Sequence, residues 1–106
     1  QQVPMPFILV EGSSDRTISG ARLNATKRID FRAVHPEMPN FNYEITSMNL
    51  RLVGSDESSE EIKGSSINLT SEQLSKLQYV VVDKVSVQTQ VKLIQYQEPI
   101  VIQIKR

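Results

Sequence analysis

The sequence predicts an all-β fold, a two-sheet sandwich of about seven strands with one short helical crossover near residues 71–77. Short runs of alternating apolar and polar residues recur along the chain, separated by clusters of Gly, Pro, Ser and Asn. The chain has 106 residues, the usual size of one domain, so residues 1–106 are expected to form a single sandwich domain. One stretch, INLTSEQLSKL (Ile67 to Leu77), breaks the alternation with helical spacing.

The first strand is expected over residues 6–10, PFILV, ahead of the turn-like EGSSD. Pro4 and Pro6 suit an edge or a strand start, because proline cannot donate to a ladder. TISGARLNATKRIDFRAV ends in clear alternation, with Ile29, Phe31 and Ala33 on one face and Arg28, Asp30 and Arg32 on the other. HPEMPN, with two prolines in six residues, reads as a loop.

FNYEITSMNLRLV carries the longest β signal, and its phase slips. Phe41, Tyr43 and Ile45 alternate at odd positions, then Met48, Leu50 and Leu52 at even ones. A straight strand would turn one triplet into water; a β-bulge near Thr46 and Ser47 returns both to the core and bends the strand. The polar GSDESSEEIKGSS is expected to be an exposed loop or hairpin excursion. VSVQTQVKLIQ reads as one strand with Val85, Val87, Val91 and Leu93 alternating. IVIQIK supplies the last strand, with Ile100, Ile102 and Ile104 facing one way, and QYQEP is short enough for a hairpin connection. The expected core is Phe7, Leu9, Phe31, Tyr43, Ile45, Leu50, Leu52, Val85, Val87, Leu93, Ile102 and Ile104.

The helix has complete start signals. Thr70 sits at the N-cap, Gln73 completes a capping box, and Leu69 with Leu74 forms a hydrophobic staple. A helix this short must dock on the sheets, so its expected place is a crossover closing one end of the sandwich.

Composition narrows the function classes. Twelve basic residues balance twelve acidic ones, which gives no electrostatic reason to expect nucleic acid or an anionic membrane. The absence of cysteine removes disulfides, thiolate metal sites and thiol catalysis. No apolar run approaches the roughly 20 residues of a membrane helix. No signal peptide is evident; Gln1 is expected to be a mature terminus or a boundary inside a longer protein.

No catalytic, cofactor-binding or metal-binding residues are assigned. The single histidine, His35, stands before Pro36 in a loop without a carboxylate or histidine partner, and is expected to be solvated. Asp56, Glu57, Glu60 and Glu61 lack the spacing of a calcium loop and read as a solvated acidic segment. Asn24-Ala25-Thr26 and Asn68-Leu69-Thr70 match the glycosylation sequon, but Thr70 is already explained as a helix cap. A nucleophile–base–orienter set has no basis here.

The order of VPMPFILVEG, TISGARLNA, FRAV, FNYEITSMNLRL, INLTSEQLSKL, VSVQTQVKLIQ and IVIQIK resembles the C-terminal domain of the GldM/PorM family. That family belongs to the gliding-motility and type IX secretion machinery of Bacteroidota. The likeness spans most of the chain and rests on the order of individually weak motifs. At Gln97, Glu98 and Pro99 the chain departs from the family's Gly-rich, Asp-containing last turn. The resemblance implies an Ig-like sandwich in the periplasm or otherwise exported, part of a longer dimeric protein. It also implies protein partners in a cell-envelope assembly, coupling an inner-membrane motor to the outer-membrane machinery, with no cofactor and no catalysis.

Two function classes stand beside an enzyme, which is the weakest of the three. An interaction module should show exposed sheet edges, because assemblies use strand pairing. A stand-alone exported module for a polysaccharide or surface protein should show a concave aromatic face, for which Tyr79 and Tyr96 are the candidates.

Overall fold

A computed structural model describes residues 5–38, 40–41, 43–55 and 58–106. Of the residues that carried expectations, Pro4, Pro39, Asn42, Asp56 and Glu57 lie outside that set. In chain order the elements are β1 (Phe7–Val10), β2 (Thr17–Ser19), α1 (Gly20–Thr26), β3 (Arg28–Val34), β4 (Glu44–Val53), β5 (Glu60–Lys63), β6 (Ser66–Asn68), α2 (Ser71–Lys76), β7 (Tyr79–Gln88), β8 (Leu93–Gln95) and β9 (Ile100–Lys105).

The strands form two sheets, as the alternation predicts. The smaller runs β1-β3-β6; the larger runs β2-β9-β7-β4-β5, with β8 also paired to β7. The chain starts in the small sheet, then β2 crosses to pair in parallel with β9 on the large one. The first, third and sixth strands thus face the fourth, seventh and ninth, the partition of an Ig-like sandwich. One hydrophobic core runs between the sheets, from Ile8 and Val10 through Phe31, Met48 and Val85 to Ile104. There are nine strands and two helices among the described residues, rather than about seven and one.

The long β4 bends where its sequence phase slips. Its register with β7 shifts between Ile45 and Ser47 and again between Ser47 and Asn49, then resumes as before. The first shift places one extra residue on β4, at Thr46. The second places one on β7, beside Lys84, whose φ of 49° is left-handed. β7 shows the same slip in burial: Val80 and Val82 point inward, then Val85 and Val87. Each strand changes phase once at the same level, so Ile45, Met48, Leu50 and Leu52 all reach the core. The bulge is satisfied locally. The Thr46 carbonyl accepts from Gly64 N–H at 2.8 Å, and its hydroxyl donates to the Ser86 carbonyl at 3.3 Å.

Several expectations need correction. β4 starts at Glu44, so Phe41 and Tyr43 precede the strand, and Tyr43 packs only on the margin of the core. In β1 the inward residues are Ile8 and Val10, while Phe7 is 57% exposed and Leu9 only half-buried. Four successive apolar residues carry no phase. VSVQTQVKLIQ is two strands, not one: Thr89 builds a turn, its backbone N–H and hydroxyl both donating to the Lys92 carbonyl at 2.9 Å. Val91 and Leu93 are therefore outside, at 65% and 57% exposure, and Ile94 is inside. QYQEP joins no hairpin, because β8 and β9 both lie along β7 instead of pairing with each other.

Both helices sit against one end of the sandwich. In α2, Thr70 Oγ1 accepts from Gln73 N–H at 3.1 Å and Gln73 Oε1 accepts from Thr70 N–H at 2.8 Å, the predicted capping box. The staple residues Leu69 and Leu74 are both buried, with Leu77 beside them. The turn before it, α1, was not expected. It buries Gly20 and Leu23, is capped by Ser19, and ends on Lys27 in the left-handed region. Arg106 donates to the Leu74 and Leu77 carbonyls, tying the end of α2 down.

Gly54 and Gly64 share a φ of +100°, but only at Gly54 would a Cβ meet backbone, at 2.4 Å from the Lys76 carbonyl oxygen of α2. Gly64 has open space. Ala at Gly64 is expected to carry the conformational cost alone, about 1 kcal/mol, and Ala at Gly54 roughly 3 kcal/mol or more, read by urea unfolding. Equal costs would contradict the docking of α2 on the β4 end.

Candidate interaction groove

The two ends of the sandwich differ. One is sealed by Leu23, Leu69, Leu74 and Leu77 beneath the helices. At the other end lie the β3–β4 loop and the Thr89 turn: Phe7 pairs with Val34, the last residue of β3, and Glu44, the first of β4, pairs with Gln88. Exposed large apolar residues concentrate there: Met5, Phe7, Met38, Val91 and Leu93. Tyr79 and Val101 lie elsewhere, on the outer face of the large sheet.

A groove of about 530 Å³ opens on the side of this end, between β3 and β4. Its cause is the path of the chain at Gly64 and Ser65. Gly64 N–H donates to the Thr46 carbonyl of the large sheet, and Ser65 accepts from Phe31 N–H of the small sheet at 2.8 Å. These two residues carry the chain from β5 to β6 and staple the sheets together. Beyond the staple, β3 and β4 both run on with no edge partner on that side among the described residues. Phe31, Ala33 and Ile45 form the floor, Met38, Phe41 and Tyr43 form the rim, and Arg32, His35, Glu44 and Ser65 add polar groups to the lining.

The backbone of β3 faces this groove with unused groups. β3 bonds β1 through its even residues, because Glu11 N–H donates to the Asp30 carbonyl. Its odd residues face β6, as Phe31 N–H to Ser65 shows. The ladder ends there, so Ala33 N–H and C=O point into the groove with no strand beside them among the described residues.

The opposite edge of the small sheet is closed. On β1 the outward carbonyl of Pro6 accepts from the Tyr96 hydroxyl, and that of Ile8 accepts from Arg16 Nη2 at 2.9 Å. Val10 exchanges both backbone bonds with Ser13. Side chains reaching over from the large-sheet side thus block strand addition at β1. Burial pushes the Tyr96 hydroxyl up to about 12, with Tyr43 adding to the shift.

The residues weighed from sequence are distributed as follows. His35 stacks on Phe7 with ring centroids 5.6 Å apart, and its Nδ1 accepts from Glu37 N–H at 3.3 Å. It shapes the rim. Glu60 and Glu61 lie on β5, where Glu61 pairs with Lys63 at 3.4 Å. Asn24 lies in α1 and Asn68 in β6, both exposed, with the Thr70 hydroxyl occupied as a cap. Tyr79 and Tyr96 are not brought together: Tyr79 begins β7, whereas Tyr96 bonds to Val85 six residues on, roughly 20 Å along the strand.

The densest charged cluster is structural. Asp30 accepts from Ser66 Oγ at 2.6 Å and from Arg28 Nε at 2.7 Å, and these bonds hold its carboxyl below the ordinary range. Glu11 accepts from Asp30 N–H at 2.8 Å and pairs with Arg22 at 3.4 Å, joining the β1 turn to α1 and β3. Among the described residues no group of three or more His, Cys, Asp or Glu is placed to hold a metal. Among the described residues no helix is long and apolar enough to cross a membrane.

Sequence reasoning anticipated exposed edges in general but not this one. The usable signal was KGSS, a glycine turn followed by a strand of only three residues, too short to accompany β3 to its end. No family model, curated protein or solved structure matches the chain.

Tyr96→Phe should remove the last phenol ionisation step, near pH 12, from the absorbance titration of the folded chain. It should also cost about 1 kcal/mol at neutral pH through the lost bond to Pro6. Because the folded value is raised, the related stability is present below the ordinary tyrosine value of 10.0 and is lost as pH climbs toward about 12. A wild-type titration without a late step would contradict the burial of this hydroxyl.

Proposed function

We propose that this chain is a non-enzymatic interaction domain of a cell-envelope assembly, acting in the periplasm or otherwise outside the cytoplasm. The observation that carries this reading is the asymmetry of the sandwich. One end and one sheet edge are sealed, while the other end presents an open edge above a groove with an apolar floor and a mixed polar rim. An open strand edge is a liability unless a partner uses it. Exposed Met38 on its rim, and exposed Phe7 and Leu93 at the same end of the sandwich, are the kind of surface that protein contacts cover.

The likeness to GldM/PorM gives the assembly its identity in this proposal: a module coupling an inner-membrane motor to the outer-membrane secretion and gliding machinery, with a homodimer as the working form. The separation of Tyr79 from Tyr96 removes the tyrosine pair that a glycan platform would have used.

The test is capture from the native host's periplasmic extract, with this chain as bait and a Met38→Asp bait alongside, and light scattering of the purified chain. Capture of a type IX secretion-ring lipoprotein by the first bait, and its loss with the second, is the expected result. A clean monomer that captures no envelope component would overturn the proposal.

A further inference from the structure

We propose that the groove receives an extended segment of a partner protein as an added β-strand on β3, continuing the line of β6. This deepens the interaction-domain reading and rests on it.

The β3–β6 ladder pairs Arg28 with Asn68, Ile29 with Ile67 and Asp30 with Ser66, and its last bond is Phe31 N–H to Ser65 O. The next position outward on the same edge is Ala33. Its N–H and C=O are spaced to exchange both bonds with one residue of an incoming strand. Each is a strong polar group whose pairing inside a desolvated groove is worth having. The edge is regular: β3 keeps one register with β1 from Val10↔Phe31 to Phe7↔Val34. An added strand therefore meets no bulge.

The chemistry of the walls sets the occupant. Its alternate side chains would point down onto Phe31 and Ile45 and under Met38 and Phe41, so they are apolar and of moderate size. The intervening ones face solvent. The occupant is thus an extended peptide with every second residue apolar, and the backbone supplies the affinity while the floor supplies selection. The other edge of the small sheet is obstructed, because Tyr96 and Arg16 occupy the outward carbonyls of Pro6 and Ile8 and Ser13 pairs with Val10.

The test is NMR hydrogen exchange on the isotopically labelled chain, with the acetylated, amidated pentapeptide Thr-Val-Thr-Val-Thr as probe at millimolar concentration. In the free chain, the Ala33 amide should exchange faster than those of Arg32 and Val34, which bond to β1. With the peptide, shifts should concentrate at Phe31, Ala33 and Met38, and Ala33 exchange should slow by roughly ten-fold or more at saturation. The same peptide N-methylated at both Val residues should not bind. Ala33→Pro removes the outward donor while leaving the β1 bonds in place, and should abolish the effect with the dispersed spectrum of a folded chain retained. Equal binding of the N-methylated peptide, a binding site elsewhere, or a free-chain Ala33 amide as protected as its neighbours would overturn the inference. If the peptide leaves the groove untouched while the bait still captures a ring lipoprotein, strand addition fails and the interaction domain stands. If neither occurs, both fall.

Discussion

The structure depends on a single constraint, that two neighbouring strands must change phase at the same level. A strand's side chains alternate strictly, so a slip in one strand alone would drive half of its apolar residues out of the core. β4 slips between Ile45 and Met48, and β7 slips between Val82 and Val85. Thr46 and Lys84 absorb the two extra residues, and the register on either side is unchanged. Because the bulges compensate, the large sheet bends without losing its pairing. The bend also marks where the outer strand line breaks into β8 and β9, which lie along opposite halves of β7.

From that bend the groove follows. Thr46, the extra residue on β4, holds Gly64 through its carbonyl, and Gly64 leads directly to the Ser65 contact with β3. The same bulge that keeps the core in phase thus anchors the crossing between sheets. Above the crossing neither β3 nor β4 has a partner on that side among the described residues, and the sandwich is open there. Below it, two capped helices bury four leucines and close the other end. The open end of the domain is a product of where the chain changes sheets, not of missing apolar residues.

How far the sequence revealed this varied with the kind of signal. Alternation is unambiguous where polar residues interrupt it, so β3, the β4 slip and β9 were legible residue by residue. The α2 cap was legible because Thr70, Gln73, Leu69 and Leu74 each specify a position by chemistry. FILV was not, since continuous apolar residues fix a strand without fixing its face. VSVQTQVKLIQ misled because Thr89 makes a turn with its own side chain in a stretch that reads as strand. The α1 turn has one buried large apolar side chain, Leu23, and no acidic residue in its first turn, too little pattern to find. The groove was the least legible feature, because it arises from the end of a three-residue strand against a seven-residue one, a tertiary fact.

The most direct test of this account is a deletion cycle: Thr46 removed, Lys84 removed, and both removed, with stability measured by urea unfolding. If the bulges compensate, each single deletion shifts the register of half a sheet and is severely destabilising. The double deletion should then be more stable than the two single costs predict, with a coupling of about 3 kcal/mol, the upper range for residues in contact. Additive costs would show that the two slips are independent, and would contradict the shared bend on which the core and the groove both rest.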